Sequence, residues 1–291
     1  GLCHMLTSQG GVRSEFSVYR RSQNEFYLVS AGAYERHDWD CLSKALPSDG
    51  TVQLRKVTNQ YGVLVLAGPS SRNLLQKLTD TNLSNEVFPW LSGKPISVGL
   101  AKADAIRVNF VGELGWELHH PVEMQNYIFD QLFEAGEEFE LKPFGIRAID
   151  SLRLEKSYRL IPRELSIEYS ALESGLERFV SFEKNDFLGK KGLEAWRQKG
   201  FQWRFVTMEV SEIDHTDARG SEPLYSGTEL VGRCTSGGYG WRVGKSLALG
   251  MVCSEFADLG QSLEVEILGE RYPVCVIPES PFDPGNRRLR A

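Results

Sequence analysis

The last third of the chain is built from short β-type runs separated by turn residues. Each run is rich in branched aliphatic residues, and glycine, serine and aspartate fill the gaps. The runs are Phe205 to Val210, Leu230 to Cys234, Leu247 to Val252, Leu263 to Ile267 and Tyr272 to Ile277. Strands at such regular spacing, with no helical pattern among them, are typical of a small antiparallel barrel. We therefore predict a β-barrel domain over residues 200–291, with the boundary near Lys199.

Residues 1–199 mix helical and strand periodicities, which predicts an α+β domain of mixed sheets with packed helices. Glu15 to Tyr19 and Phe26 to Ser30 flank a polar turn and predict an opening hairpin. Further strands are expected at Thr51 to Val57 and Val63 to Ala67, and helices at Tyr34 to Leu46, from Gly68 onward, at Val122 to Glu137 and at Pro143 to Lys156. The ionisable residues of that last helix are interpreted as a solvated face.

Composition excludes several classes of protein. A length of 291 residues suits two domains, and a net charge of −6 without a long basic run argues against a nucleic-acid surface. Five cysteines without a C-x-x-C pair indicate neither a disulfide framework nor a metal site. No apolar run is long enough to cross a membrane, and no secretory signal is present, so we expect a soluble protein. The abrupt start at Gly1 indicates a fragment of a longer polypeptide.

A second feature is the segment from Ile106 to Leu118, which predicts a hairpin. Apolar and polar residues alternate up to Phe110, and two glycines then bracket a turn that carries Glu113 and Glu117. A carboxylate fixed on a strand can accept two parallel N–H bonds from a guanidine-like edge, such as that of a 2-amino-4-oxo pterin. The alternative is a surface hairpin with solvated glutamates.

The chain lacks G-x-G-x-x-G, Walker and G-x-S-x-G motifs, and we interpret His119 and His120 as structural or surface residues. What remains is a set of carboxylates near glycine-rich turns: Glu15, Glu113, Glu117 and Glu173. Glu15 follows the Gly10-Gly11 loop, which is expected to make a close approach that leaves no room for a side chain. A carboxylate held there can relay a proton in amine chemistry, so Glu15 is a candidate general base.

Six motifs carry a resemblance to a known family. They are Phe110 to His119, Leu83 to Pro89, Arg147 to Arg159, Leu172 to Leu176, Phe187 to Lys190 and Ser280 to Pro284. Together they resemble the C-terminal folate-binding half of sarcosine and dimethylglycine dehydrogenases, which is itself similar to the glycine-cleavage T-protein, an aminomethyltransferase. The resemblance covers essentially the whole chain, and it implies a T-protein-like folate-binding fold that lacks its first segment.

The resemblance also implies a function. In that family an N-terminal FAD domain oxidises an N-methyl amine, and tetrahydrofolate in the C-terminal half traps the iminium carbon as 5,10-methylenetetrahydrofolate. The expected partners are therefore folate, an amine-derived iminium and an FAD-binding domain in cis that lies outside this sequence, with no nucleic acid and no membrane. The expected compartment is the bacterial cytoplasm or the mitochondrial matrix.

Residue roles follow from the same resemblance. Glu15 aligns with the catalytic aspartate of the family, and Glu117 aligns with its pterin-binding glutamate. Phe110 replaces a tyrosine and is expected to stack on the pterin, while Ile149 replaces a pterin-side arginine. Glu113 and Tyr239 are further candidate cofactor-binding residues. Thr235 to Tyr239 either closes one side of the pocket or forms a purely structural turn.

Two other functions are compatible with the sequence. A catalytically silent homologue could act as a regulatory subunit, as the relative that regulates pyruvate dehydrogenase phosphatase does, and folate binding would discriminate it from an enzyme. A folate-dependent protein of iron–sulfur assembly is disfavoured, since that family has a Lys-Gly-Cys-Tyr motif where this chain has Phe187 to Lys190 without cysteine.

Overall fold

Two antiparallel sheets and a closed barrel form the β-structure of the computed structural model, which describes residues 1–213 and 216–291. The first sheet has the order β1-β2-β3, and the second has the order β4-β7-β6-β5. Their strands are β1 (Leu2–Leu6), β2 (Val12–Arg20), β3 (Phe26–Val29), β4 (Tyr61–Ala67), β5 (Gly93–Val98), β6 (Ala101–Ile106) and β7 (Gly115–Pro121).

Five α-helices are assigned within the described residues, and all of them precede the barrel. They are α1 (Glu35–Ala45), α2 (Ser71–Gln76), α3 (Gln125–Gly136), α4 (Ile146–Leu154) and α5 (Lys190–Lys199). The core of the four-stranded sheet forms where buried leucines of α2 and α3 pack against Trp116 and Leu118 of β7. Because side chains alternate along a strand, Glu117 and His119 project from the opposite face of β7.

The barrel follows in the order β10-β11-β8-β13-β12-β9. Its strands are β8 (Trp203–Val210), β9 (Pro223–Ser226), β10 (Glu229–Gly240), β11 (Lys245–Cys253), β12 (Ser262–Ile267) and β13 (Glu270–Ile277). Alternate residues of each strand fill its interior with valine, leucine and isoleucine. The predicted α+β domain followed by a small antiparallel barrel is confirmed, and closure of the barrel leaves none of its six strands as a free edge.

The structure corrects four local predictions. Residues 51–57 form no strand, since no neighbouring backbone pairs with them. The first strand of the predicted hairpin ends at Ile106, and residues 107–114 form an irregular loop. Thr235 to Tyr239 lies within β10, at a bulge, rather than in a turn. On α4 the predicted solvated face is wrong for Arg153, which is completely buried and reaches Tyr158 and Glu164 beyond the helix as well as Asp150 within it.

Candidate active site

Two candidate carboxylates lie on facing surfaces of the two sheets. Val12, Ser14 and Phe16 are the buried residues of β2, so Glu15 and Tyr19 project from its half-exposed face. That face meets the second sheet, because the Tyr19 ring packs over Gly93 at the start of β5. Glu117 projects from the partly exposed face of β7, where the neighbouring His119 contacts Tyr27 of β3.

The Glu117 carboxylate is held by a buried histidine. His119 Nε2 lies 3.1 Å from Glu117 Oε2, and His119 Nδ1 lies 3.3 Å from the Tyr27 hydroxyl. Burial raises the pKa of the Tyr27 phenol, so this hydroxyl stays a donor. One neutral tautomer then satisfies both contacts, with Tyr27 donating to Nδ1 and Nε2–H donating to Glu117. The Glu117 side chain stays 24% exposed, which leaves room for a ligand.

Glu15 has a comparable but separate partner. His4 Nε2 lies 2.8 Å from Glu15 Oε2, because β1 and β2 place these two residues directly opposite each other. The His4 side chain is nearly buried and its ring packs edge-on against Phe179, while the Glu15 side chain is 28% exposed. A carboxylate in this setting can take up a proton from a bound group and exchange it with a neighbouring imidazole.

The Arg21 side chain joins the first sheet to the second. Arg21, just beyond β2, places its Nη2 2.6 Å from Asp104 Oδ2 on β6. The same guanidinium lies over the rings of Tyr27 and Tyr61, 4.4 Å and 5.2 Å from their centroids. The ion pair and the two cation–π contacts therefore join β3, β4 and β6 around one side chain.

The loop 107–114 presents Phe110 and is shaped by Asn109. The Asn109 amide donates to the Glu113 carbonyl at 2.6 Å, and its carbonyl oxygen accepts the N–H groups of Val111 and Gly112. Gly112 has a φ of +72°, and a Cβ there would lie 2.6 Å from Lys156. Phe110 is thereby placed against Tyr158, with ring centroids 5.4 Å apart.

Phe110 also borders a cleft of about 270 Å³ alongside α4, which we name the α4 cleft. Its apolar wall consists of Phe110, Ile146, Ile149 and Leu160, and arginines form its polar side. Ile149 therefore lies at the surface of a cavity. An aromatic and aliphatic wall of this kind suits a flat ring.

Glu113 points away from this wall and into an ion-pair cluster. Its Oε1 accepts from Arg242 Nη1 at 3.0 Å and from Arg288 Nη1 at 3.3 Å. Arg242 also donates to Glu155 and to the Val111 carbonyl, and its guanidinium lies 3.6 Å from the centroid of the Phe282 ring. Glu113 thus links the Phe110 loop to the barrel and to the C-terminal segment.

Tyr239 lies apart from the other candidates. Its ring packs edge-on against Trp241 and lines a different cleft, near Glu209 and Lys245. Only its backbone reaches α4, where the Tyr239 carbonyl accepts from Ser151 Oγ at 2.7 Å. The structure therefore places Glu15 and Glu117 on facing surfaces of the two sheets and Phe110 beside the α4 cleft, and it places Glu113 and Tyr239 elsewhere.

Sequence reasoning missed several residues around these side chains, notably His119, Tyr27 and Tyr158. His119 carried a detectable signal, because it lies two residues from Glu117 and so shares its strand face. Tyr27 and Tyr158 gave no local signal, since they reach the site only through tertiary contacts.

Within residues 1–213 and 216–291, no group of three or more histidine, cysteine, aspartate or glutamate side chains is placed to hold a metal ion. No described helix is both long and apolar enough to cross a membrane.

Two family models together account for nearly the whole chain. The GCVT N-terminal domain matches residues 1–184, and the glycine cleavage T-protein C-terminal barrel domain matches residues 204–283. An aminomethyltransferase of Desulfitobacterium hafniense (strain Y51) is 32% identical over 274 residues, which cover 94% of this chain and 74% of that protein.

Longer relatives match over only part of their length. The mitochondrial dimethylglycine dehydrogenase of Homo sapiens is 38% identical over 280 residues, which cover 96% of this chain and 32% of that protein. The mitochondrial sarcosine dehydrogenase of Mus musculus is 32% identical over 309 residues, which cover 98% of this chain and 33% of that protein. The chain thus spans about a third of these dehydrogenases.

A solved structure has the same fold. The glycine cleavage system aminomethyltransferase T from Bartonella henselae superposes with a TM-score of 0.83 at 21% identity, covering 97% of this chain and 75% of that one. This likeness confirms the predicted T-protein-like fold.

Proposed function

The chain belongs to the glycine cleavage T-protein family, and from that premise we propose that it is the tetrahydrofolate-binding one-carbon transfer module of an FAD-dependent N-methyl-amine dehydrogenase. Its proposed reaction is the trapping of an amine-derived iminium carbon as 5,10-methylenetetrahydrofolate. The observation that supports this most is the pair of partly exposed carboxylates, Glu15 and Glu117, on facing sheets. Among the described residues each forms one side-chain hydrogen bond, so each keeps acceptor capacity for a ligand.

The residues fit a reduced pterin. Glu117 offers a carboxylate whose Oε2 is already oriented by His119, and it would accept N–H groups from the amino-pyrimidine edge. Phe110 and Tyr158 offer aromatic surfaces for stacking. Tetrahydrofolate, when bound, supplies the nucleophilic nitrogens that accept the one-carbon unit.

Glu15 is proposed as the general base. It would hold the proton that leaves the reacting nitrogen, with His4 as a hydrogen-bond partner that keeps the carboxylate in place. The strand position of Glu15 fixes its backbone, which favours a catalytic over a purely binding role. Glu113 is proposed to act indirectly, by holding the Phe110 loop against Arg242, and Tyr239 remains a candidate without a ligand-facing contact.

The proposed partners follow from the dehydrogenase relatives. An FAD-binding domain in cis would form the iminium, and the bacterial cytoplasm or the mitochondrial matrix would be the compartment. The names of the human and mouse dehydrogenases contain the word mitochondrial, which agrees with the second of these.

Titration of the chain with tetrahydrofolate tests the proposal, followed by the quenching of tryptophan fluorescence or by calorimetry. We expect saturable binding of tetrahydrofolate and none of FAD. No binding of tetrahydrofolate at millimolar concentration would contradict the proposal and favour the alternative of a regulatory subunit.

A further inference from the structure

The charged side of the α4 cleft contains three arginines and one aspartate, Arg147, Arg153, Arg163 and Asp150. Glu164, buried behind Arg153, is the other carboxylate in direct contact with this group among the described residues. Three positive charges therefore face two negative ones, and the cleft keeps a net positive charge. A site of this sign attracts an anionic ligand group.

One hydrogen-bond donor of the Arg153 guanidinium lacks an acceptor. Its side chain is 1% exposed; Nε donates to Asp150 at 2.8 Å, and Nη1 donates to the Tyr158 carbonyl at 3.0 Å. Nη2 is buried and has no hydrogen-bond partner among the described residues. A buried guanidinium N–H without an acceptor is unfavourable. Arg153 is among the residues that line the cleft, so a ligand oxygen that enters beside it would supply the missing acceptor.

Arg147 and Arg163 flank the cleft at the surface. Both are exposed, and neither lies within 4.0 Å of a described carboxylate, while Arg163 Nη1 is 3.4 Å from Ser236 Oγ. Guanidinium groups that are free of protein carboxylates match the geometry of a ligand carboxylate. The opposite wall of the cleft is formed by Phe110, Ile149 and Leu160.

We propose that the α4 cleft binds a carboxylate group through Arg153 Nη2, with Arg147 and Arg163 at its entrance. The inference rests on the proposed function, whose ligands offer two sources of this chemistry. One is the glutamyl tail of the folate, and the other is the amino-acid carboxylate of the N-methyl amine.

The test compares each acid with its neutral amide by isothermal titration calorimetry. The probes are tetrahydrofolate and its glutamyl diamide, and N,N-dimethylglycine and its amide. The variant is Arg147→Gln/Arg163→Gln, which leaves the buried Arg153 in place so that folding is preserved. The matched control is Arg36→Gln/Arg55→Gln, which removes the same two charges at exposed positions outside the cleft.

If the folate tail is the source, the Kd of tetrahydrofolate rises about tenfold in the cleft variant and that of the diamide stays unchanged. If the amine is the source, dimethylglycine shows this difference from its amide instead. Equal changes for acid and amide in both pairs, or the same loss in the control, overturn the inference. Failure of the wild-type protein to bind either tetrahydrofolate or its diamide contradicts the proposed function instead.

Discussion

The junction of α4 with the barrel and the space between the two sheets both contain glutamates, but they use them differently. At the junction, Glu164 has 0% exposure and accepts from Arg153, the Leu160 N–H, Thr235 and Ser236. Between the sheets, Glu15 and Glu117 are about a quarter exposed and have one partner each. The number of hydrogen bonds that a carboxylate already accepts therefore separates structural glutamates from those that can serve a ligand.

The largest expected effect is on Glu15, within the protein that contains the proposed flavin half. Glu15→Gln should leave amine oxidation unchanged and slow one-carbon transfer by about 10²–10⁴-fold, the usual contribution of a general base. Free formaldehyde should appear in place of methylenetetrahydrofolate, since an untrapped iminium hydrolyses. Measuring both products tests this, with Glu123→Gln, at an exposed position, as control. A wild-type product ratio in Glu15→Gln would exclude Glu15 as the base.

The free energy of unfolding should depend on the buried glutamate at the junction of α4 with the barrel. Glu164→Ala should lower the free energy of unfolding by about 3–5 kcal/mol, because it removes the buried partner of Arg153 and leaves only the partly exposed Asp150 to pair with that charge. Urea denaturation measures this. Glu168→Ala is the matched control, since Glu168 pairs with Arg233 at the surface, and such pairs contribute about 0–1 kcal/mol. Similar losses in both variants would show that the junction is not held by its buried charges.

A smaller effect is expected for ligand binding at Glu117. Glu117→Gln should weaken tetrahydrofolate binding by about 1.5–3 kcal/mol, because an amide presents a donor where acceptors are required. Calorimetric Kd values measure it, and thermal unfolding should change little since the side chain is partly exposed. Unchanged affinity in a folded variant would mean that Glu117 is a solvated surface residue.

The smallest effect concerns pH and the C-terminal segment. Partial burial tends to raise the pKa of Asp283, but the N–H groups of Arg288 and Arg287 outweigh it and hold this pKa below its ordinary value. A lowered pKa means that the carboxylate stabilises this segment above its ordinary pKa and loses that effect as the pH falls through the lowered one. Hydrogen exchange at the Arg287 and Arg288 amides should therefore lose its protection at acid pH. Asp283→Asn should lack this pH step, and an identical step in that variant would assign it to another group.

Much of the fold was predictable because the patterns that specify it are local. Short β-type runs between turn residues located five of the six barrel strands, and β9 was missed because it has only four residues and begins with Pro223. Helix α4 was predicted, but the burial of its Arg153 side chain was not. Arg153 reaches Glu164, whose other partners Thr235 and Ser236 lie 71 and 72 residues further along the chain.

The candidate site residues came from sequence motifs, and no observation here tests their roles. Glu15 and Glu117 stood out as carboxylates near glycine-rich turns, and their roles stay proposals. The orphaned Arg153 Nη2 could not be predicted, because a missing acceptor is visible only when every surrounding atom is placed. Glu113 was linked to the ligand by its position in the motif. In the structure its carboxylate instead accepts hydrogen bonds from two arginines of distant segments, Arg242 and Arg288.

The contact between Lys156 and the C-terminal segment also affects when the site can be assembled. Lys156 is buried beneath the Phe110 loop, and its Nζ donates to the carbonyls of Phe282 and Asp283, which lie 126 and 127 residues later. During synthesis on a ribosome these carbonyls are absent while the loop and its sheet are already outside the exit tunnel. The Lys156 ammonium must then stay hydrated and the Phe110 loop unsupported, so translation has to pass Asp283 before the α4 cleft can take its final shape.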